Sequence, residues 1–97
     1  MKADELREQQ DEDLRGVLKQ VSGRRFFHRL LVQSGLYASS YAEAPTAAAY
    51  NEGRRSIAIA LMREAQRVAP ELYSQGLREQ LSAQELEARK AETPAED

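Results

Sequence analysis

The side chains with the most chemistry to offer are a doubled tripeptide and a lone histidine. Gly23-Arg24-Arg25 and Gly53-Arg54-Arg55 set two arginine pairs thirty residues apart. An arginine fork recognises phosphate or carboxylate through several fixed donors, so two such ridges could grip a nucleic-acid backbone or an acidic protein surface. Adjacent helical residues point about 100° apart, and a plainer role therefore stands beside the first. One arginine of each pair would bridge to an acid of the fold, such as Glu52, Glu64 or Asp13, while its neighbour faces water. His28 is the only histidine and the only side chain that titrates near neutrality without help. No second His and no Cys exists to complete a metal shell around it, and Arg25 and Arg29 on either side disfavour a cation.

The remaining motifs point away from catalysis. The sequence holds no G-x-S-x-G elbow, P-loop, G-x-G-x-x-G turn or calcium loop. Glu43, Glu52 and Glu64 stand singly, with no spacing that pairs carboxylates for hydrolysis. The expectation is a protein that is not an enzyme and uses no cofactor, metal or catalytic residue. Tyr37, Tyr41, Tyr50 and Tyr73 read as core-edge residues with a wet hydroxyl rather than as a platform for stacked bases.

Charge is segregated along the chain, which the net value of -2 hides. Met1 to Asp13 carries six acids against two bases, and Glu71 to Asp97 seven against three. Between Leu14 and Leu36 lie Arg15, Lys19, Arg24, Arg25 and Arg29 with no acid. Acidic ends flanking a basic middle could solubilise the chain, screen the middle from casual nucleic-acid contact, or dock on a basic partner. The 97 residues, 41% hydrophobic, suffice for one modest core. No apolar run reaches bilayer-spanning length, and the acidic start lacks the features of a secretory signal, so neither membrane insertion nor export by that route is expected. The absence of cysteine excludes disulfides.

These side chains must be positioned by helices. Leu14, Val17, Leu18 and Val21 follow i, i+3, i+4, i+7, predicting a first helix from about Asp4 or Gln9 to Gln20. Ser22 is read as the N-cap of a second, running to about Ser34 with Phe26/Leu30 and Phe27/Leu31 as apolar pairs and both phenylalanines at the core's centre. Gly35 would end it in the left-handed region, with Leu36 folding back. Tyr37 to Pro45 reads as a loop. A third helix is predicted from Pro45 or Thr46 to Val68, with Tyr50, Ile57, Leu61, Ala65 and Val68 on one stripe. Pro70 opens a fourth, with Leu72, Tyr73, Leu77 and Leu81 facing inward. Gly53 and Gly76 are read as close helix contacts. Ser82 and Glu85 form a capping box, predicting a restart and a short exposed C-terminal helix. The expected architecture is an all-α, single-domain bundle of about four helices over residues 1–90, its core at about 11–81, with a disordered acidic tail over 91–97.

Three blocks recur in order with a known pattern: Ser22-Gly23-Arg24-Arg25-Phe26-Phe27-His28-Arg29-Leu30-Leu31, then Gly35-Leu36-Tyr37 with Ser39-Ser40-Tyr41, then Tyr50-Asn51-Glu52-Gly53-Arg54-Arg55-Ser56-Ile57. In these blocks the chain resembles a family of small proteins of short-tailed bacteriophages and prophages, including a Bordetella podovirus, encoded among virion structure and morphogenesis genes. The resemblance covers about Asp11 to Leu77 and implies a context, phage assembly or a minor virion component, acting in the host cytoplasm during assembly or in the virion. It carries no catalytic residues. The leading expectation is a structural or accessory protein that binds other phage structural proteins, with Arg24, Arg25, Arg29, Tyr37, Tyr41, Arg54 and Arg55 as contact residues and Phe26, Phe27, Leu30 and Ile57 holding the fold. The alternative is a nucleic-acid-binding factor for genome packaging or ejection, and self-association into a homo-oligomer is open to either.

Overall fold

A computed structural model of the protein describes residues 2–37 and 44–92. Four helices occupy almost all of them: α1 (Ala3–Leu18), α2 (Val21–Gln33), α3 (Pro45–Val68) and α4 (Pro70–Glu92). The all-α fold predicted from periodicity is the one observed, with no strand among the described residues.

Helix boundaries follow backbone chemistry closely. Only Lys19 and Gln20 separate α1 from α2, and the first helical bond of α2 runs from the Arg24 amide to the Gln20 carbonyl at 2.9 Å. Gln20, with extended backbone, is thus the cap rather than Ser22, and its side chain makes no capping bond. The tight corner depends on Gly23: a Cβ there would fall 1.8 Å from the Val17 carbonyl oxygen. At the other end α2 closes in a Schellman arrangement. Gly35 takes φ 84°, the Leu36 amide bonds to the Leu31 carbonyl at 3.1 Å, and the Gly35 amide to that of Val32 at 3.0 Å. Leu36 is buried against the core, as the left-handed glycine cap requires.

Pro45 opens α3 and Pro70 opens α4, each in a first turn where its missing N–H costs nothing. The predicted restart at Ser82 does not occur. No Pro or Gly interrupts the segment, and Glu85–Arg89 and Glu87–Lys90 pair across single turns, so α4 continues through Ala91 and Glu92. Residues 93–97 of the predicted tail lie outside the described residues.

The core is small. Leu18, Phe27, Leu31, Leu36, Ala58, Ala65, Val68, Ala69 and Tyr73 are buried, with Leu14, Ile59, Leu61, Met62 and Leu72 partly covered around them. Two leucines, Leu18 and Leu31, are essentially inaccessible, each contributing roughly 1.5–3 kcal/mol of burial. Four of the residues expected on the inner side do not lie there. Phe26 is 54% exposed, Tyr50 66%, Ile57 62% and Leu81 55%. Phe26 and Phe27 are neighbours on a helix and diverge by about 100°, so only one can face inward. Val17, about 100° round the helix from Leu18, and Val21, beyond the corner at Lys19 and Gln20, likewise remain exposed.

α2 touches all three other helices and packs most extensively on α4. Around this kernel the first turns of α1 (3–10), most of α3 before Ala58, and α4 from Leu81 onward are exposed. The molecule accordingly measures 65 × 39 × 16 Å, with a radius of gyration of 17.2 Å, against about 12–13 Å for a compact chain of this length. It is a thin plate with helical arms.

Candidate interaction surface

The two arginine pairs separate into buried and exposed members, for the geometric reason that neighbours on a helix diverge. Arg24 lies on the inner side of α2 with Phe27, His28 and Leu31, and is 4% exposed. Its Nε donates to Glu79 Oε1 at 2.6 Å and its Nη1 to the Leu18 carbonyl at 2.9 Å. A second guanidinium nitrogen reaches Glu79 Oε2 at 3.5 Å. Arg24 was expected on the binding surface; it instead ties the end of α1 and the middle of α4 to α2. The acid it uses is none of the three that sequence proximity suggested. No acid exists on α2, so the partner had to be remote, and spacing carries no signal for a contact across fifty-five residues.

His28 continues this inner seam. It is 3% exposed, and its Nε2–H donates to the Tyr73 carbonyl at 3.2 Å, an acceptor that fixes which ring nitrogen carries the proton. The imidazole lies 4.9 Å from the Tyr73 ring and edge-on to Phe27 at 5.9 Å. Burial holds its pKa below the usual histidine value, while the Tyr73 carbonyl and the nearby Glu79 carboxylate partly oppose that shift. Gly76 makes the contact feasible, since a Cβ there would lie 2.6 Å from His28 Nε2. Gly53, the other glycine expected at a close contact, has open space around it. Tyr73 itself is raised to about 12, first by burial and then by its hydroxyl contact with Tyr37. Every buried side-chain nitrogen and oxygen among the described residues has a partner. The seam is thus fully used in holding α2 on α4.

The other named residues face outward. Arg25 and Arg29 stand one turn apart on the exposed side of α2, Arg29 over the Phe26 ring at 5.4 Å. Arg54 covers the exposed Tyr50 ring at 5.6 Å, and half-buried Arg55 lies 3.9 Å from Glu52, one of the acids that the sequence suggested for it. Tyr37 is 66% exposed at the end of α2. Tyr41 lies outside the described residues. Exposed apolar side chains accompany these cations: Val21, Phe26 and Val32 on α2, and Tyr50 and Ile57 on α3. Sequence reasoning placed Phe26 and Ile57 inside; the divergence of adjacent helical positions, applied to the arginines, would have flagged Phe26 as well.

A groove of about 370 Å³ lies between α2 and α4, lined by His28, Val32, Tyr37, Leu77, Gln80, Leu81 and Gln84. A second, of about 550 Å³, runs between α1 and α3 over Leu6, Leu14 and Leu61. It is crossed at Arg67, which donates to both Asp11 oxygens at 3.2 and 2.9 Å and also binds Glu64. That guanidinium holds the Asp11 carboxyl below its usual range. Among the described residues no group of His, Cys, Asp and Glu is arranged to hold a metal ion, and no helix is long and apolar enough to cross a membrane.

Fold and surface together define a small helical protein whose exposed arginines, Arg25, Arg29 and Arg54, share its outer faces with unburied apolar side chains. The chain belongs to the Bbp19-like phage protein family, which it matches over residues 14–78. That span contains the whole buried core and both arginine pairs; the exposed start of α1 and the far end of α4 fall outside it. No curated protein and no solved structure matches the chain.

Proposed function

We propose that the protein is a non-enzymatic structural or accessory component of phage particle assembly, binding other phage structural proteins through the exposed half of α3. The observation that carries this reading is the pairing of Tyr50, 66% exposed, and Ile57, 62% exposed, with Arg54 laid across the tyrosine ring. Tyr50, Arg54 and Ile57 lie at i, i+4, i+7 on one face. Large apolar side chains left in water next to arginine are the composition of an interface centre, and such a face costs solubility unless it is covered. Membership in a phage family supplies the setting.

The test is mass spectrometry of gradient-purified particles and assembly intermediates of the encoding phage. The chain is expected at a fixed ratio to the portal protein in one or both. Arg54→Ala/Arg55→Ala and Ile57→Asp variants should lose incorporation while circular dichroism and melting temperature stay near wild type. Wild-type protein absent from particles and intermediates alike removes the reading.

DNA binding is the second reading, and one observation favours it: Arg25 and Arg29 face solvent on a helix without an acid. It ranks lower because Arg24 is buried and because Val21, Phe26 and Val32, which phosphate does not recognise, border the ridge. Electrophoretic shift of duplex or single-stranded DNA, with log affinity falling by about 0.9 or 0.7 per contacted phosphate as log salt rises, is its signature. No shift at low salt ends it.

A further inference from the structure

Two exposed surfaces of this chain are complementary to each other and unsatisfied within one copy. On α1, Leu6 and Val17 are 47% and 43% exposed and share one face at i and i+11. Asp13 lies within about 40° of both side chains, Gln9 and Glu5 continue from it at i−4 and i−8 on the adjoining stripe, and neither acid pairs with a cation among the described residues. On α2, Arg25 and Arg29 form a ridge between Val21 and Val32 on one side and Phe26 on the other, all five exposed. Neither arginine pairs with an acid among the described residues. Among the described residues no ion pair links α1 to α2; the acids of α1 that are used bind Arg15 and Arg67.

We infer that a second copy of the chain covers these faces, the acidic α1 arm of each protomer lying on the basic outer face of the other's α2. Charge complementarity selects this occupant. Two exposed apolar side chains set among acids meet an apolar surface ridged by arginine, and a two-fold axis makes the contact twice with the same residues. Residues 3–10 of α1 are all exposed in an extended molecule of 17.2 Å radius of gyration, so the start of α1 can reach a neighbour while Leu14 and Leu18 hold its end on the core. The α3 face assigned above to phage partners is not used, so the two readings stand or fall separately.

The experiment is sedimentation equilibrium or light scattering of the full chain from micromolar concentrations to about 1 mM, combined with a charge swap. Wild type is expected to dimerise, more weakly in about 1 M salt, where screening acts within about 3 Å. Glu5→Lys/Asp13→Lys brings lysine onto arginine, and Arg25→Glu/Arg29→Glu brings acid onto acid. Each variant alone should raise the dimer dissociation constant by roughly tenfold or more, with unchanged circular dichroism. Mixed in equal amounts, the two should recover a heterodimer near wild-type affinity, since both contacts are again of opposite sign. A monomeric wild type at about 1 mM overturns the inference. So does a dimer indifferent to both charge reversals, which would place the contact elsewhere, or a mixture that stays monomeric. DNA binding by wild type without dimerisation would assign the arginine ridge to phosphate instead.

Discussion

Removing Glu79 should reveal how much of the fold rests on a single buried cation. Arg24 is 5% exposed at its side chain and Glu79 38%, so water can reach the acid but scarcely the guanidinium. Breaking a fully buried pair from one side costs about 3–5 kcal/mol, and a charged hydrogen bond about 1.5–3 kcal/mol. Here one contact is strong at 2.6 Å, the second marginal at 3.5 Å, and the Leu18 carbonyl still accepts from Arg24. Glu79→Ala is therefore expected to cost about 2–3 kcal/mol. In a chain of this size that lowers the melting temperature by roughly 10–20 °C. Arg24→Ala should cost at least as much, because it also orphans the Leu18 carbonyl and empties the buried space of the guanidinium. Arg24→Lys should not rescue, since an ammonium cannot hold the fixed, divergent geometry of Nε and Nη1. A double-mutant cycle by urea denaturation measures the pair directly. Coupling of about 1.5 kcal/mol or more is expected between residues in contact; below about 0.5 kcal/mol, the level of independent sites, the claim that Arg24 is structural fails.

Gly76→Ala should destabilise by about 1–3 kcal/mol through overpacking against His28, whereas Gly53→Ala, in open space, should stabilise by about 0.5–1 kcal/mol; equal effects in thermal melts would contradict the α2–α4 contact. His28 has its folded pKa depressed, chiefly by burial. Between its unfolded value near 6.5 and that lower folded value the unfolded chain binds more protons, so stability present above about pH 6.5 is lost as pH falls and levels off once the folded protein is protonated too. Melting temperature measured from pH 8 to pH 5 should decline in that window, and His28→Gln should flatten the decline. Tyr73 acts at the other extreme: with its pKa raised from 10 to about 12, stability should fall as pH rises from about 10, and Tyr73→Phe should remove that alkaline component in a spectrophotometric titration.

Local physics was legible in the chain without any tertiary information. Pro45 and Pro70 announced two helix starts, Gly35 with Leu36 announced a helix end, and the spacing of Phe27, Leu31, Ala65 and Val68 marked buried positions, because each depends only on backbone rules or on a period of 3.6 residues. The segregation of acid and base and the family blocks were equally visible. What the sequence left undecided was which of two neighbours turns inward. Phe26 or Phe27, Arg24 or Arg25 are equivalent to a reader of composition, and only the placement of α4 against α2 resolves them, by setting Gly76 and Glu79 opposite one side of the helix. The capping box at Ser82 was a local signal without effect, since nothing nearby breaks the helix and exposed i, i+3 and i, i+4 pairs carry it on. The seam from the Leu18 carbonyl through Arg24 to Glu79, and from His28 to Tyr73, joins residues far apart in the chain. Hydrogen bonds act through space over about 3 Å and leave no trace in sequence spacing, which is why the tertiary structure alone could move Arg24 from the surface to the interior.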